Sequence, residues 1–244
     1  MLSWFKSSKQ KLDPISFSVL KTDMHSHLIP GIDDGAQDLD SSIKIIKELS
    51  SLGFTKLITT PHIMSDFYFN TEETITNGLL RLREELEKQN IDIEIAAAAE
   101  YYIDYEFEKK LSKEKLLTFG DNYLLVEFSF IEKPKNIFDI IFKLQIDGYK
   151  IVLAHPERYA FLQEKDLEDF QNRGVLLQMN LLSLIGYYSQ PIKKQAEWLI
   201  DNQMISFVGT DCHNFNQSLL YEKCQKEKSW HNLIDSDMLL NNTL

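Results

Sequence analysis

The sequence predicts an α/β fold in which seven parallel β-strands alternate with helices and close into a barrel. Short apolar runs alternate with longer amphipathic segments, as in folds built from repeated strand–helix units. Nearly every short run is continuously apolar, which is typical of parallel strands covered on both faces. An open doubly wound sheet shares these properties, but it gathers functional residues at one switch point beside a glycine-rich turn. Here candidate functional residues follow many different strands and no such turn is present, which favours the barrel.

The boundaries of the elements follow from the periodicity of the apolar residues. We predict strands at the short apolar runs, which are Phe17–Asp23, Lys56–Thr60, Ile91–Ala99, Tyr123–Phe128, Lys150–Ala154, Val175–Met179 and Ile205–Val208. We predict helices where apolar residues recur at steps of three and four, which are Asp40–Ser51, Thr71–Gln89, Asn136–Asp147, Asp166–Asn172 and Pro191–Asn202. Gly53, Gly148 and Gly174 stand where a helix must end before the next strand begins.

No repeat, low-complexity block or Gly/Ser linker divides the chain, so we predict one domain over residues 16–230. Residues 1–15 and 231–244 are predicted to be tails. The apolar opening of the N-terminal tail is too short for a membrane span or a secretory signal. Trp4 and Phe5 leave open a weak anchor to a membrane surface, although a frayed tail is favoured.

The composition is acidic and poor in cysteine. The 244 residues contain 37 Asp and Glu against 26 Lys and Arg, a formal charge of −11 at pH 7. This balance argues against binding to nucleic-acid phosphates or anionic lipid. It leaves two interpretations open, an ordinary solubilising surface or carboxylates gathered to hold cations. Cys212 and Cys224 are too few for a disulfide framework or a four-thiolate zinc site, which favours a reducing cytoplasm.

Histidine and acidic residues follow the predicted strands, at the end where a parallel barrel carries its active site. Eight of these residues fall at six of the seven strand ends, and they are His25, His27, His62, Glu100, Glu127, His155, Asp211 and His213. Five of the six histidines of the chain belong to this group. The sixth, His231, lies in the predicted C-terminal tail.

The spacing of these residues favours metal binding over separate structural roles. In an extended strand residues i and i+2 point the same way, so His25 and His27 can close on one cation. Asp211 and His213 repeat this spacing after the last strand. Imidazole with carboxylate suits Zn²⁺, Mn²⁺ or Fe²⁺, and Glu100 can bridge two ions. A single His-x-His is a weak signal, and a single buried acid can instead be paired. Charged groups at so many buried strand ends are costly unless bound, which favours a cluster of ions.

Six short motifs stand at the strand ends. They are His25-Ser26-His27, Asp33-Asp34-Gly35, Thr60-Pro61-His62, Ala99-Glu100, His155-Pro156-Glu157-Arg158-Tyr159 and Asp211-Cys212-His213. Together they resemble the PHP (polymerase and histidinol phosphatase) superfamily. The His-x-x-Pro-x-x-Asp-Asp-Gly run, the run beginning at His155 and residues 178–184 resemble its branch of manganese-dependent tyrosine-protein phosphatases of bacterial capsule and exopolysaccharide loci. The resemblance covers roughly residues 20–220.

The resemblance implies a distorted (β/α)₇ TIM-like barrel, the PHP fold, with three divalent metal ions. Mn²⁺ is the metal it favours, with Fe²⁺ or Zn²⁺ as alternatives. By position, the implied ligands of the first ion are His25, His27 and Asp211. Glu100 is implied to bridge the first ion to the second, which Glu127 and His155 complete. The third ion is implied to be held by Asp34, His62 and His213. Arg158 matches the arginine that grips the phosphate, a role suited to a planar guanidinium.

Three other positions are predicted to support the site. Glu157 and Asn180 are predicted to orient ligands, with a helix cap as the alternative role of Asn180. The loop after His62 is aromatic, and Tyr68 within it is predicted to form part of a rim for a tyrosine ring. Packing into the core is the favoured alternative for such an aromatic cluster.

The chain departs from the family pattern after the last strand. Related proteins often place a further arginine there, whereas residues 214–222 contain none. We expect Lys223 or a backbone donor to take its place, or phosphate binding on that side to be weaker.

The function that the resemblance implies is hydrolysis of phosphotyrosine by a metal-bound hydroxide, with Arg158 and the ions neutralising the phosphate oxygens. The implied substrate is the tyrosine-rich tail of a polysaccharide-assembly kinase, with no nucleic acid partner and no stable membrane insertion. A cysteine-dependent phosphatase is excluded, because neither Cys212 nor Cys224 is followed by an arginine six residues later. Two alternatives stay open, another PHP phosphoesterase acting on histidinol phosphate or a nucleotide, and a metal-binding regulator without catalysis.

Overall fold

Parallel strands form the inner layer of the fold and helices surround them. The computed structural model describes residues 12–111 and 113–244. Within these residues, nine strand segments line up as seven strands, because the second and third are each interrupted. The strands are β1 (Thr22–Asp23), β2 (Lys56–Thr59 and His62–Ile63), β3 (Glu94–Ala97 and Glu100–Tyr102), β4 (Tyr123–Glu127), β5 (Lys150–Ala154), β6 (Leu176–Asn180) and β7 (Ile205–Gly209).

Every neighbouring pair of strands is parallel, in the chain order from β1 to β7. The first and last strands also meet beyond their regular ends, through a parallel bridge between Ser26 and Cys212. There Asp211 N donates to His25 O at 2.7 Å and His27 N donates to Cys212 O at 3.0 Å. These bonds bring the two outer strands together, as the predicted barrel requires.

The predicted first strand is wrong over residues 17–21, because only Thr22–Asp23 is a strand. Phe17–Val19 is a 3₁₀ helix, because the Ser16 side chain accepts a hydrogen bond from Ser18 N and caps the turn. Phe17 is buried and stacks on Phe54, which fixes the turn against the outside of the barrel. The predicted N-terminal tail, with Trp4 and Phe5, lies almost wholly outside the described residues.

The predicted helices are present, with ends shifted by a few residues at most. The helices are α1 (Leu39–Ser51), α2 (Glu72–Lys88), α3 (Tyr105–Lys110), α4 (Ile137–Ile146), α5 (Glu164–Asn172), α6 (Gln190–Asp201), α7 (Phe215–Ser218), α8 (Tyr221–Cys224) and α9 (Lys228–Asp235). Helix α2 begins with a capping box between Thr71 and Thr74. It buries one stripe of side chains, Ile75, Leu79, Leu82 and Leu86.

Two apolar cores lie on the two faces of the strands. The larger core packs the helices against the outside of the barrel. The inner cluster fills the barrel interior and comprises Met24, Ile58, Ala98, Phe119, Leu125, Val152, Ala154 and Phe207. The interior of the barrel is therefore filled by side chains at the level of this cluster. A functional site can then form only at the carboxyl ends of the strands.

Residues after 230 form ordered structure, although the domain boundaries themselves stay a prediction. Helix α9 spans the predicted boundary, and Trp230 within it is buried and donates to Ile15 O at 2.9 Å. Buried Asn241 donates to Thr22 O at 3.0 Å and to Val208 O at 2.7 Å. The C-terminal segment thus covers the amino end of the barrel at the seam between β1 and β7.

Candidate metal centre

Nine predicted ligands converge at the carboxyl ends of the strands. Among the described residues, three overlapping groups of donor atoms each lie within 4.8 Å of one another. The groups are His25, His27, Glu100 and Asp211; His62, Glu100 and Glu127; and His27, Asp34, His62 and His213. His155 joins them through its Nε2, which lies 3.0 Å from Glu100 Oε1.

The first group is fully enclosed. His25 Nε2 lies 3.2 Å from Glu100 Oε2 and 3.4 Å from Asp211 Oδ1. His27 Nε2 lies 3.3 Å from the same Asp211 atom and 3.5 Å from the same Glu100 atom. All four residues are buried. Four donor atoms therefore point at one small, dry volume.

The other two groups share His62. Its Nδ1 lies 3.2 Å from Glu100 Oε2 and 2.8 Å from Glu127 Oε1. Its Nε2 lies 3.5 Å from Asp34 Oδ1, and His213 Nε2 lies 3.4 Å from that same oxygen. The side chain of Asp34 is 54% exposed, so the third group opens to solvent. The partition differs slightly from the predicted one, because His62 faces the second group as well as the third.

Gln178 and Asp33, which were not predicted to belong to the site, fix the tautomers of His25 and His27. His25 Nδ1 donates to Gln178 Oε1 at 2.9 Å, since an amide oxygen can only accept. His27 Nδ1 donates to Asp33 Oδ2 at 2.8 Å. In the neutral rings both Nε2 atoms then carry lone pairs, and these two atoms face each other at 3.3 Å. A cation between them removes the repulsion, so the donor set fits a metal ion.

The second group also contains donor atoms without hydrogen bonds. His62 Nδ1 and Glu127 Oε1 are buried and make none, although they are 2.8 Å apart. Buried polar atoms are normally satisfied, and atoms aimed at a shared point without bonding each other are typical of a metal site. The residues of this group therefore also fit the implied ions.

The cluster is strongly coupled electrostatically. Burial alone would lower the pKa of His25, but the carboxylates of Glu100 and Asp211 outweigh it and raise this pKa to about 9. The pKa of His213 is raised to about 9 in the same way, by Asp211 and Asp34 against burial. Burial would raise the pKa of Glu100, but the neighbouring imidazoles hold it well below its usual value. Without metal, protons on the histidines neutralise the acids, so metal and protons compete for this site.

The backbone is strained where two of the ligands attach. His155 has φ of +36° and Asp211 has φ of +52°, in the left-handed region that side chains other than glycine rarely adopt. Such strain persists only where the surrounding structure over-determines it, and it clusters at functional sites. The backbone at Gly209 also packs closely against His25, since a Cβ at position 209 would lie 2.6 Å from His25 Cβ.

Arg158 lies beside the first group at the edge of the site. Its Nη1 donates to Asp211 Oδ2 at 3.0 Å. Its guanidinium lies between two rings, 4.7 Å from the centroid of Phe130 and 4.4 Å from that of Tyr188. The sandwich holds a planar donor over the site while leaving part of the side chain exposed.

Glu157 and Asn180 are buried next to this arginine. Asn180 Nδ2 donates to Asp211 Oδ2 at 2.6 Å. Asn180 does precede a 3₁₀ helix, Leu181–Ile185, but its side chain does not cap it. Glu157 accepts from Asn180 N at 3.0 Å and from Ser183 Oγ at 2.6 Å. Glu157 therefore anchors Asn180, which in turn contacts a predicted ligand.

The aromatic loop after β2 is on the surface rather than in the core. Tyr68 stacks on His62 with 5.5 Å between ring centroids. Phe67 and Phe69 beside it are 70% and 76% exposed, so the core alternative is wrong for these two rings. Lys223, the residue expected to replace the absent arginine, is exposed on α8.

Cys212 is unsuited to be a nucleophile. It is fully buried, and its Sγ donates to Asn214 O at 3.5 Å. Burial raises the pKa of its thiol far above the usual value. Its side chain packs into the larger apolar core, away from the metal centre.

Four residues that position the site were not predicted from the sequence, and they are Gln178, Asp33, Phe130 and Tyr188. They differ in whether the sequence contains a pattern that points to them. Gln178 is two residues before Asn180 on β6, so strand periodicity places both on one face. Asp33 adjoins Asp34, but nothing in the pattern says which of the two contacts a histidine. Phe130 and Tyr188 lie in loops, whose path no periodicity predicts.

Comparison with known proteins gives consistent results. A family model described as "Capsular polysaccharide synthesis, CpsB/CapC" matches residues 21–227. The chain is 32% identical over 195 residues to tyrosine-protein phosphatase YwqE of Bacillus subtilis, covering 79% of this chain and 77% of the relative. It is 28% identical over 202 residues to tyrosine-protein phosphatase CpsB of Streptococcus pneumoniae, covering 80% and 83%.

Solved structures agree with this. A crystal structure from a study of YwqE and CpsB, described as unique metal-dependent tyrosine phosphatases, superposes with a TM-score of 0.76 at 30% identity, covering 91% of this chain and 94% of that chain. A histidinol phosphate phosphatase from Lactococcus lactis superposes with a TM-score of 0.54 at 14% identity, covering 89% and 93%. The second likeness shows the fold alone, and the two together confirm the predicted PHP-type fold.

Proposed function

The chain belongs to the CpsB/CapC family of capsular polysaccharide synthesis, and on this premise we propose that it is a metal-dependent protein-tyrosine phosphatase. The family predicted from the motifs is thereby confirmed. The observation that carries the activity is the pair of facing His25 and His27 Nε2 atoms, ringed by the carboxylates of Glu100 and Asp211. Without ions these buried groups are balanced only by protons that the histidines take up, whereas a divalent cation matches all four donor atoms.

We propose three divalent ions, with Mn²⁺ as the metal, held by the nine predicted ligands, with His62 facing the second group as well as the third. The overlapping donor groups support more than one ion, since Glu100 contacts donors in two of the groups. When bound, the ions supply an activated water nucleophile and neutralise the phosphate oxygens.

The residues of the chain supply binding and orientation. Arg158 donates to a phosphate oxygen through the guanidinium edge that points toward Asp211. Asn180 and Arg158 both donate to Asp211 Oδ2, which leaves Asp211 Oδ1 for the ligand role. Tyr68, stacked on His62, forms a wall for the phenyl ring of the substrate. The leaving phenolate has a pKa near ~10, so no strong general acid is needed.

The proposed substrate is a phosphotyrosine protein, specifically the tail of a polysaccharide-assembly tyrosine kinase, met in the cytoplasm. The names of the relatives support the phosphotyrosine part of this proposal. Among the described residues, no helix is both long and apolar enough to cross a membrane.

One assay tests the activity. Protein loaded with Mn²⁺ is offered a tyrosine phosphopeptide, histidinol phosphate and a dinucleotide, each with and without chelator. We expect chelator-sensitive release of phosphate from the phosphopeptide above the other two. Preference for histidinol phosphate would overturn the tyrosine assignment, and turnover of none of them would favour a regulator. Arg158→Ala should lower kcat/KM for the phosphopeptide on the order of a hundredfold, as expected for loss of a phosphate-binding donor.

A further inference from the structure

A separate cavity lies on the far side of Tyr68 from the metal centre. It encloses about 310 Å³ and is lined by the loop after β2, the end of β3 and helix α3. The rings that line it are Tyr68, Phe69, Tyr101, Tyr102 and Phe107. Tyr68 therefore contacts His62 with its ring and also forms part of the cavity wall. One aromatic ring separates the two spaces.

Strand geometry places the cavity next to the site. Tyr102 follows Glu100 by two residues on β3, so both side chains point to the same face of the strand. Tyr102 is also in register with Glu127 on β4. The cavity therefore begins next to the predicted ligands, at Tyr102, two residues beyond Glu100 on β3.

The polar lining carries both signs of charge. Asp104, Glu106 and Lys110 contribute to the wall. Asp104 is used structurally, because it accepts hydrogen bonds from Ser65 N at 3.2 Å and Phe107 N at 2.7 Å and so ties the loop to α3. Glu106 is half-exposed at the wall and pairs with Lys109 of the next turn. Because both carboxylates already have partners, the aromatic rings are the surface that the cavity offers to a ligand.

We propose that this cavity receives an aromatic side chain of the substrate polypeptide, two residues from the phosphotyrosine. The inference rests on the proposed phosphatase function. Residues i and i+2 of an extended peptide point the same way and are about 7 Å apart, which lets two side chains straddle the Tyr68 ring. The aromatic walls supply the affinity, so the cavity selects an aromatic neighbour.

The test uses matched phosphopeptides that differ only at the position two residues from the phosphotyrosine, which carries Phe or Ala. Wild-type protein should prefer the Phe peptide over the Ala peptide by about tenfold in kcat/KM, the effect expected for burying one large apolar side chain.

Two exposed phenylalanines of one loop form a matched pair of variants. Phe69 lines the cavity and Phe67 does not, and both are mostly exposed, so neither change disturbs the core. Phe69→Ala should reduce the preference for the Phe peptide to near unity, whereas Phe67→Ala should leave the ratio unchanged. Equal effects of the two variants, or no preference in the wild-type protein, would overturn the proposal.

Failure of the cavity proposal is distinguishable from failure of the phosphatase function, because only the latter abolishes turnover of a small aryl phosphate.

Discussion

At the amino end of the barrel the strands direct apolar side chains into the interior. At the carboxyl end the same strands direct imidazoles and carboxylates into it. On β4, buried Leu125 belongs to the inner cluster and Glu127, two residues later, contacts His62. On the third strand Ala98 and Glu100 show the same step. Strand periodicity thus fixes the direction of each side chain, and its position along the strand decides its chemistry.

The two ends also differ in what stabilises them. The amino end buries apolar surface and is covered by Leu240 and Leu244. The carboxyl end holds charged groups whose pKa values are shifted in opposite directions, and its donor atoms face one another without full satisfaction. We infer that packing maintains the fold at one end so that the other end can keep an arrangement that only ions satisfy.

The largest expected effect comes from a change at the carboxyl end that leaves the amino end intact. Glu100→Gln removes the carboxylate that lies near His25, His62 and His155. We expect bound metal to fall and phosphatase turnover to drop on the order of a hundredfold to a thousandfold. Elemental analysis and kinetics measure both, and an unchanged circular dichroism spectrum would show that the fold persists.

The matched change at the amino end is Leu125→Ala. It should lower the free energy of unfolding by about 2–5 kcal/mol through lost burial and a cavity. Metal content per folded chain should be unchanged. Denaturant unfolding gives the fraction of folded chain, and elemental analysis of the native protein gives the metal content. If Leu125→Ala removed metal, or Glu100→Gln unfolded the chain, the two ends would not be separable.

A smaller effect is expected from a residue that contacts a ligand without touching the ion. Gln178→Leu removes the acceptor of His25 Nδ1 and frees the ring to change tautomer. Metal affinity should fall by about tenfold to a hundredfold. Gln178→Glu keeps an acceptor oxygen and should restore much of the affinity. Equal losses in the two variants, measured by metal titration, would mean that Gln178 acts only through packing.

The pH dependence of stability should differ between metal-free and metal-loaded protein. His25 and His213 have folded-state pKa values of about 9, above the unfolded value near 6.5. Their stabilisation is fully present below that unfolded value and is lost as pH rises through 9. Chelated protein should therefore unfold at a lower temperature at pH 9 than at pH 6.5. A fall of the same size in metal-loaded protein would contradict displacement of these protons by metal.

The smallest effect is expected at Cys212, which adjoins a predicted ligand but packs into the larger core. Cys212→Ser should leave metal content and turnover near wild type and cost about 1 kcal/mol of stability, typical of a single conservative change in a core. Loss of turnover with metal retained would mean that the thiol takes part in the reaction.

The sequence predicted most of the strands and the strand-end positions of the candidate ligands, because both depend on local periodicity. Glu127 could be placed from its position at the end of an apolar run. The 3₁₀ helix at Phe17 was missed, since an apolar run with a serine before it also resembles a strand. Helix α3 is a single short segment of Tyr105–Lys110, too brief for a helical period to show.

Contacts between distant segments could not be predicted in the same way. Arg158 was selected for its motif, but its sandwich between Phe130 and Tyr188 depends on how two loops meet. Asn241 is a polar residue in a polar segment, and only the tertiary fold shows that it satisfies backbone groups of β1 and β7. Periodicity carries no information about such pairs.

The seam between β1 and β7 has a consequence for how the protein is made. It joins Asp23 to Thr210, residues 187 positions apart, and the ligands His25 and Asp211 sit directly beside it. Loop closure over such a separation is entropically costly and slows folding. A nascent chain holds His25 and His27 long before Asp211 and His213 emerge from the ribosome. We therefore expect the proposed ions to be captured only late in biosynthesis, once the ring has closed.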